Sequence, residues 1–173
     1  MPNLLYIHGY GGSGNSRTAK ALQTYLPENY TVFEPCFPVN TAESVKLAEE
    51  TIRKHHIDIV VASSLGAFTA LQLCGIPKIV INPCIYPSKE LPKREDIPEA
   101  ILLNFEIFEK EIFKNIDEKE KAYTFGVFST KDELFSYKDE FSKHYPNVQT
   151  IEDTHRISVE NVEKVIVPMI IAM

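Results

Sequence analysis

The strongest chemical signal in the chain is the stretch Val60-Val61-Ala62-Ser63-Ser64-Leu65-Gly66-Ala67-Phe68. An apolar run passes into a small-x-Ser-x-Gly turn and then into helix-forming residues, which is the form of a nucleophile elbow. In such a turn the serine hydroxyl projects above a strand end, and its neighbours must be small because larger side chains clash across the turn. Ser64 would also open a helix, where unpaired backbone N–H groups and the dipole favour negative charge. The first small position is Ala62 where glycine is usual. The plainer role for Ser63 and Ser64 is helix capping, which serine does without any chemistry.

A serine nucleophile needs a base, and the chain holds five histidines. His55 and His56 precede the third apolar strand and His144 precedes the last, so all three fall at the wrong end of a sheet. His155 follows the final strand within a short loop and is the candidate base. The orienting acid should follow another strand end, where Phe125–Ser129 leads into Thr130-Lys131-Asp132-Glu133. Asp132 is the natural choice, Glu133 is its rival, and Asp153 lies near His155; each could instead be an exposed helix-capping acid. The order Ser64, Asp132, His155 is the chain order of the α/β-hydrolases, distinct from that of chymotrypsin or subtilisin.

Acyl transfer also needs donors for an oxyanion. The first strand ends in His8-Gly9-Tyr10-Gly11-Gly12-Ser13-Gly14. Gly9 permits a sharp turn that aims a main-chain N–H, that of Tyr10, alongside that of Leu65. His8 then holds the loop and is not the base. The same segment spells GxGxxG, with Glu34 twenty residues beyond Gly14, and so also reads as a dinucleotide-binding fingerprint. Against that reading, the third glycine should lie inside the helix, whereas Asn15 and Ser16 look like N-cap residues following Gly14.

These residues require strands that end together. Apolar runs at Leu4–His8, Thr31–Glu34, Ile57–Ser63, Lys78–Asn82, Tyr123–Ser129 and Val148–Glu152 alternate with helical spacing at Ser16–Leu26, Ala42–Lys54, Leu65–Cys74, Tyr137–His144 and Val159–Ile166. The pattern predicts an α/β three-layer sandwich of about six mostly parallel strands with helices on both faces, forming a single domain over 1–173. Residues 83–121, after the fourth strand, are too long for a simple connection. Within them Ile97, Ile101, Phe105, Phe108, Ile112 and Ile116 form an apolar helical face, either a core-packed crossover helix or a short lid.

The formal net charge of −6 disfavours a nucleic-acid partner. Cys36, Cys74 and Cys84 are an odd count without CxxC spacing, so neither a disulfide framework nor a metal site is expected, and the pattern fits a reducing cytoplasm. No secretory signal is legible at the start. The apolar run Val165–Met173 contains Pro168 and is too short to span a bilayer, so no membrane partner is expected and the run reads as the buried end of a last helix.

Leu5-Tyr6-Ile7-His8-Gly9-Tyr10, Gly12-Ser13-Gly14-Asn15-Ser16, Ser63-Ser64-Leu65-Gly66, Ile81-Asn82-Pro83, Lys131-Asp132-Glu133-Leu134 and His155 together resemble the YqiA-like (UPF0227-type) small esterase family of the α/β-hydrolases, over most of the chain. The resemblance implies a compact hydrolase that lacks the first antiparallel strands of larger relatives and cleaves carboxylic esters or thioesters. It implies Ser64 as nucleophile, Asp132 as acid and His155 as base. Glu152-Asp153-Thr154 stand where the family has a glycine-rich approach to the histidine. The expected partner is a small-molecule acyl ester or thioester, with no cofactor. Gly9, Tyr10 and Ser63 are expected to contact it, and Phe33, Phe37, Phe68 and Tyr86 either line an acyl pocket or belong to the core.

Overall fold

In the computed structural model, which describes residues 1–173, six strands make one fully parallel sheet in the order β2-β1-β3-β4-β5-β6. The strands are β1 (Asn3–Ile7), β2 (Thr31–Phe33), β3 (Ile59–Ser63), β4 (Lys78–Ile81), β5 (Thr124–Ser129) and β6 (Asn147–Ile151). Because successive side chains point to opposite faces, each central strand feeds two cores. Leu4, Tyr6, Ile59, Val61 and Ile79 pack on one face with α1 (Arg17–Tyr25) and the C-terminal helix. Leu5, Ile7, Val60, Ala62 and Val80 pack on the other, beneath α2 (Thr41–His55), α3 (Leu65–Ala70) and the middle segment.

The chain moves outward from β1 to β2, then returns to place β3 on the opposite side of β1. That reversal opens a crevice beyond the carboxyl ends of β1 and β3, the place where open α/β sheets bind ligands. Local signals set the helices around it. Ser16 caps α1 by accepting the Ala19 amide, and Asn40 caps α2 by accepting that of Glu43.

The middle segment departs from its expected single helix. It forms α4 (Pro87–Glu90), a 3₁₀ turn at Leu91–Lys93, α5 (Glu99–Glu109) and α6 (Glu118–Tyr123). Asn115 adopts a left-handed φ of 59°, which ends the run, and Asp117 starts α6 by accepting the Glu120 amide. The apolar spacing continues across this break because Ile112, in the turn, still faces the core. The segment is pinned to the body. Phe105 is fully buried, Asn104 accepts the Thr41 amide at 2.8 Å, Glu109 accepts both the Ser88 amide and hydroxyl at 2.8 Å, and Tyr137 donates to Glu90 at 2.6 Å. It is therefore a packed cover on the sheet.

After α7 (Lys138–Ser142) and β6, α8 (Val159–Asn161) passes at the C-terminus through a π-helical turn at Val162–Ile166 into α9 (Val167–Ala172). A proline inside a helix lacks an N–H and its ring presses on the carbonyl four residues back. The widened turn before Pro168 relieves that pressure, so the helix continues and buries Ile166, Val167 and Ile170. No helix is long and apolar enough to cross a membrane.

At the opposite end of the sheet from the crevice, Lys78 is 1% exposed, and its ammonium meets Glu120 at 2.9 Å and the Leu73 carbonyl. Glu120 also accepts the Gly75 amide. Burial pulls the Lys78 pKa down, against the opposing pull of Glu120. Removing one partner of such a pair strands a charge, so Glu120→Ala should cost about 3–5 kcal/mol in urea unfolding. The double change Lys78→Met/Glu120→Leu should recover most of that loss, since it leaves no charge behind. A loss below about 1 kcal/mol for Glu120→Ala would show that water reaches Lys78 freely.

Candidate active site

Ser64 lies directly after β3 with φ 53° and ψ −116°, a conformation that costs a non-glycine residue roughly 1–3 kcal/mol. The surroundings enforce it. The Ser64 amide donates to Ile81 at 3.0 Å, and its carbonyl accepts from Phe68 and Cys84 at 3.3 and 3.1 Å. A Cβ on Gly66 would run into the carbonyl oxygens of Ile7 and His8, so only glycine lets α3 start this close to the end of β1. A Cβ on Gly9 would stand 3.2 Å from that of Ser64. The turn therefore lifts the hydroxyl above the sheet.

The structure brings Ser64, His155 and Asp132 together. His155 Nε2 is 3.0 Å from Ser64 Oγ, and its Nδ1 is 2.8 Å from Asp132 Oδ2. An ionised carboxylate only accepts, so the Nδ1 proton is assigned to the Asp132 bond, leaving the Nε2 lone pair for the serine hydroxyl. Both side chains are nearly dry, 8% exposed for His155 and 3% for Asp132. Burial would raise the Asp132 pKa, but the His155 bond and the amides of Leu134 (2.9 Å) and Phe135 (3.1 Å) on Oδ1 outweigh it and hold the carboxyl below its ordinary value. The group stays charged.

The three acids near His155 divide the work. Asp132 meets the ring, Glu133 accepts the His155 backbone amide at 2.9 Å, and Asp153 folds the loop by accepting from Thr154, Ser158 and Asn161. Asp153 thus orders the approach to the histidine through side-chain bonds where glycines would rely on backbone freedom.

One organising residue had no assigned role in the sequence. Asn82, buried just after β4 with a left-handed φ of 44°, donates to Ser129 Oγ at 2.8 Å and to the His155 carbonyl at 2.9 Å, while its Oδ1 accepts the Ser129 amide at 2.8 Å. It ties the ends of β4 and β5 to the histidine loop. Its signal was an asparagine directly after a strand, a residue type that tolerates left-handed backbone.

A cavity of about 570 Å³ lies over Ser64 and His155. Tyr6, Ser16, Thr18 and Ser63 give it a hydroxyl-lined wall, with Tyr6 donating to Ser63 at 3.0 Å. Leu65, Cys84, Leu91, Leu134 and Phe135 form the apolar wall, and Gly9 and Tyr10 lie in the loop along the rim. The Tyr10 and Leu65 amides, both at the cavity, are bonded to no group of the chain. Two expected substrate contacts require correction. Phe37 packs at the core with its ring 5.9 Å from that of His8 and lines a separate, smaller cavity of about 130 Å³ with Gly9, Tyr10 and Leu65, and Tyr86 packs edge-on against Tyr137 at 5.4 Å, so neither lines the cavity over Ser64. Phe68 is likewise buried against Phe105, and Phe33 stacks on His55. These rings pack against a face of the sheet, whereas the cavity opens beyond the carboxyl ends of its strands.

His8 holds the loop with both nitrogens, Nδ1 at 2.9 Å from the Gly9 carbonyl and Nε2 accepting the Phe37 amide at 3.0 Å. The dinucleotide reading loses its two supports. Gly14 lies outside α1, and the Glu34 carboxylate accepts the Ser16 amide at 3.1 and 3.2 Å, so an anion already covers the helix start that a pyrophosphate would need. No group of three or more His, Cys, Asp or Glu side chains is placed to hold a metal.

The profile of the Uncharacterised protein family (UPF0227) matches residues 3–173. The chain belongs to the UPF0227 family. A UPF0227 protein of Vibrio atlanticus (strain LGP32) is 25% identical over 142 residues, covering 76% of each chain. Among solved structures, Est1E from Butyrivibrio proteoclasticus with ferulic acid bound superposes with a TM-score of 0.76 at 15% identity, covering 99% of this chain and 89% of that one. The thioesterase domain from the curacin biosynthetic pathway gives 0.64 at 12% identity, covering 98% and 91%. This UPF0227 protein therefore has the α/β-hydrolase fold, with a six-stranded, fully parallel sheet.

Proposed function

We propose that this UPF0227 protein is a serine hydrolase of small acyl esters or thioesters, acting through Ser64, His155 and Asp132. The observation that carries this reading is the unbroken relay from Asp132 through His155 to a strained, solvent-facing Ser64. His155 takes the Ser64 proton as Oγ attacks the acyl carbon, and Asp132 holds the ring and stabilises the imidazolium. The oxyanion is met by the amides of Tyr10 and Leu65, which lie at the cavity and are bonded to no group of the chain. His155 then protonates the leaving alcohol or thiol, and a water deprotonated by the same ring releases the acid and frees Ser64. Esterase and thioesterase chemistry among proteins of the same fold supports the reaction class. No step calls for a cofactor. The three free thiols, Cys36, Cys74 and Cys84, suit a reducing cytoplasm.

The test is turnover of short-chain aryl esters together with labelling by a serine-directed phosphonate. Hydrolysis and a single adduct on Ser64 are expected. Inactivity with no adduct would favour a hydrolase-fold binding protein with an idle triad.

Asn82 supplies a narrower prediction. Asn82→Gly keeps the left-handed backbone at no steric cost but releases the His155 loop. A displacement of about 1 Å costs up to roughly a hundredfold in rate, so kcat should fall about ten- to a hundredfold with little change in KM. Unchanged kcat would show that Glu133 and Asp153 hold the loop unaided.

A further inference from the structure

The catalytic cavity has an unusual charge for this chain. The protein carries only four arginines, Arg17, Arg53, Arg94 and Arg156, within a formal net charge of −6. Three of them, Arg17, Arg94 and Arg156, line the cavity, and the only acid lining it is Glu95. Not one of the chain's fourteen lysines lines it. None of the three arginines takes part in an ion pair, although short Lys–Glu pairs recur over the rest of the surface.

Their placement is specific. Arg17, the first residue of α1, donates one N–H to the Ile157 carbonyl at 3.0 Å, which fixes its guanidinium beside the histidine loop and leaves its other donors free. Arg94 lies over the Phe135 ring at 5.8 Å, and the edge of Phe135 meets the His155 ring at 4.8 Å. Arg156 directly follows the base. A guanidinium offers a planar fork that matches a carboxylate, which a lysine ammonium does not.

We infer that the ester cleaved here carries a free carboxylate, bound at the cavity mouth by Arg94 and Arg156 with Arg17 adding to the field. The inference rests on the esterase reading and names its substrate class, a monoester or thioester of a small dicarboxylic acid. The hydroxyl-lined wall would solvate the polar end, and the apolar wall of Leu91, Leu134 and Phe135 would take the intervening methylenes. A carboxylate pinned at the mouth would hold the other end of the acyl chain over Ser64.

Two measurements separate this inference from the reading beneath it. The first compares kcat/KM for 4-nitrophenyl hydrogen glutarate and for 4-nitrophenyl valerate, which match in length and differ in charge. Charge-assisted hydrogen bonds to one carboxylate should favour the acidic ester about ten- to a hundredfold at low salt. The preference should shrink as salt rises. It should collapse in Arg94→Ala/Arg156→Ala and persist in Arg53→Ala, whose arginine lies near the end of α2. Turnover of both esters with no preference would overturn the inference and leave the esterase intact. The second measurement is calorimetric binding of monomethyl glutarate, methyl valerate and butyl phosphate to the Ser64→Ala protein, which needs no turnover. Tighter binding of monomethyl glutarate, lost in the double arginine variant, supports the inference even if neither aryl ester is cleaved. Equal binding of the first two overturns it, and tighter binding of butyl phosphate reassigns the mouth to a phosphate.

Discussion

Ser64→Ala should lower aryl-ester turnover by about 10⁴- to 10⁶-fold and abolish phosphonate labelling, while the urea midpoint stays level or rises. The activity loss follows from the covalent mechanism. Without Oγ no acyl-enzyme forms, and what remains is the modest acceleration left when a triad member is lost, about 10³–10⁴ over water, from the oxyanion donors and binding. The stability expectation follows from the backbone. Ser64 is held at φ 53° by the Ile81 carbonyl below it and by Gly66 pressed against the Ile7 and His8 carbonyls. Alanine feels the same strain, but the change removes a hydroxyl whose only protein partner is His155 Nε2. Steady-state kinetics, intact-mass labelling and denaturant titration decide the matter. Labelling that moved undiminished to Ser63 would move the nucleophile with it.

Asp132→Asn should lower kcat by about 10⁴-fold, the size of the equivalent change in a serine protease triad. The amide can present its NH₂ to His155 Nδ1, which stabilises the tautomer with the proton on Nε2, and that ring cannot accept from Ser64. Folding should be affected far less, because an asparagine Oδ1 still accepts the Leu134 and Phe135 amides that shape the turn. A pH signature accompanies the loss. The folded carboxyl lies below its ordinary value, so its contribution to stability is complete above the unfolded pKa of about 3.9 and disappears as pH falls through the lower folded value. In Asp132→Asn that part of the acid limb should flatten in urea titrations taken below about pH 4. If Glu133→Gln instead produced the large kinetic loss, the ring would have exchanged one acid for the other in solution, since Glu133 already reaches the His155 amide.

Both predictions concern residues far apart in the chain, and the sequence placed them at the same carboxyl end of the sheet by simple rules. Apolar runs followed by helical spacing led to parallel strands, and residues just past strand ends in such a sheet share one rim. Ser64, Asp132 and His155 each follow a strand, β3, β5 and β6, while His55, His56 and His144 each precede one. The start of α1 followed its capping residue, Ser16. The middle segment was misjudged, because there local pattern and chain path diverge. The middle segment kept its apolar period from Ile97 to Ile116 through a turn, because periodicity records which side chains face the core and not whether the backbone between them stays helical. The run Val165–Met173 ends the last helix, as its apolar pattern implied, and a π-helical turn lets that helix continue past Pro168.

What the sequence alone determined is which residue types end which strands, and hence the layered fold, the serine in its elbow and the candidate histidine and acid. Tertiary structure decided what proximity in sequence cannot express. Strand-end position favoured Asp132 over its rival Glu133 and the nearby Asp153, but only the structure shows that one meets the imidazole, one the backbone amide and one the loop, because a hydrogen bond depends on direction over about 3 Å. Phe37 and Tyr86 were plausible pocket rings whose strand ends and helix starts instead turned them toward the cores. Arg17, Arg94 and Arg156, scattered over 140 positions, became one charged mouth only when the crossovers brought α1, the middle segment and the histidine loop around the same crevice.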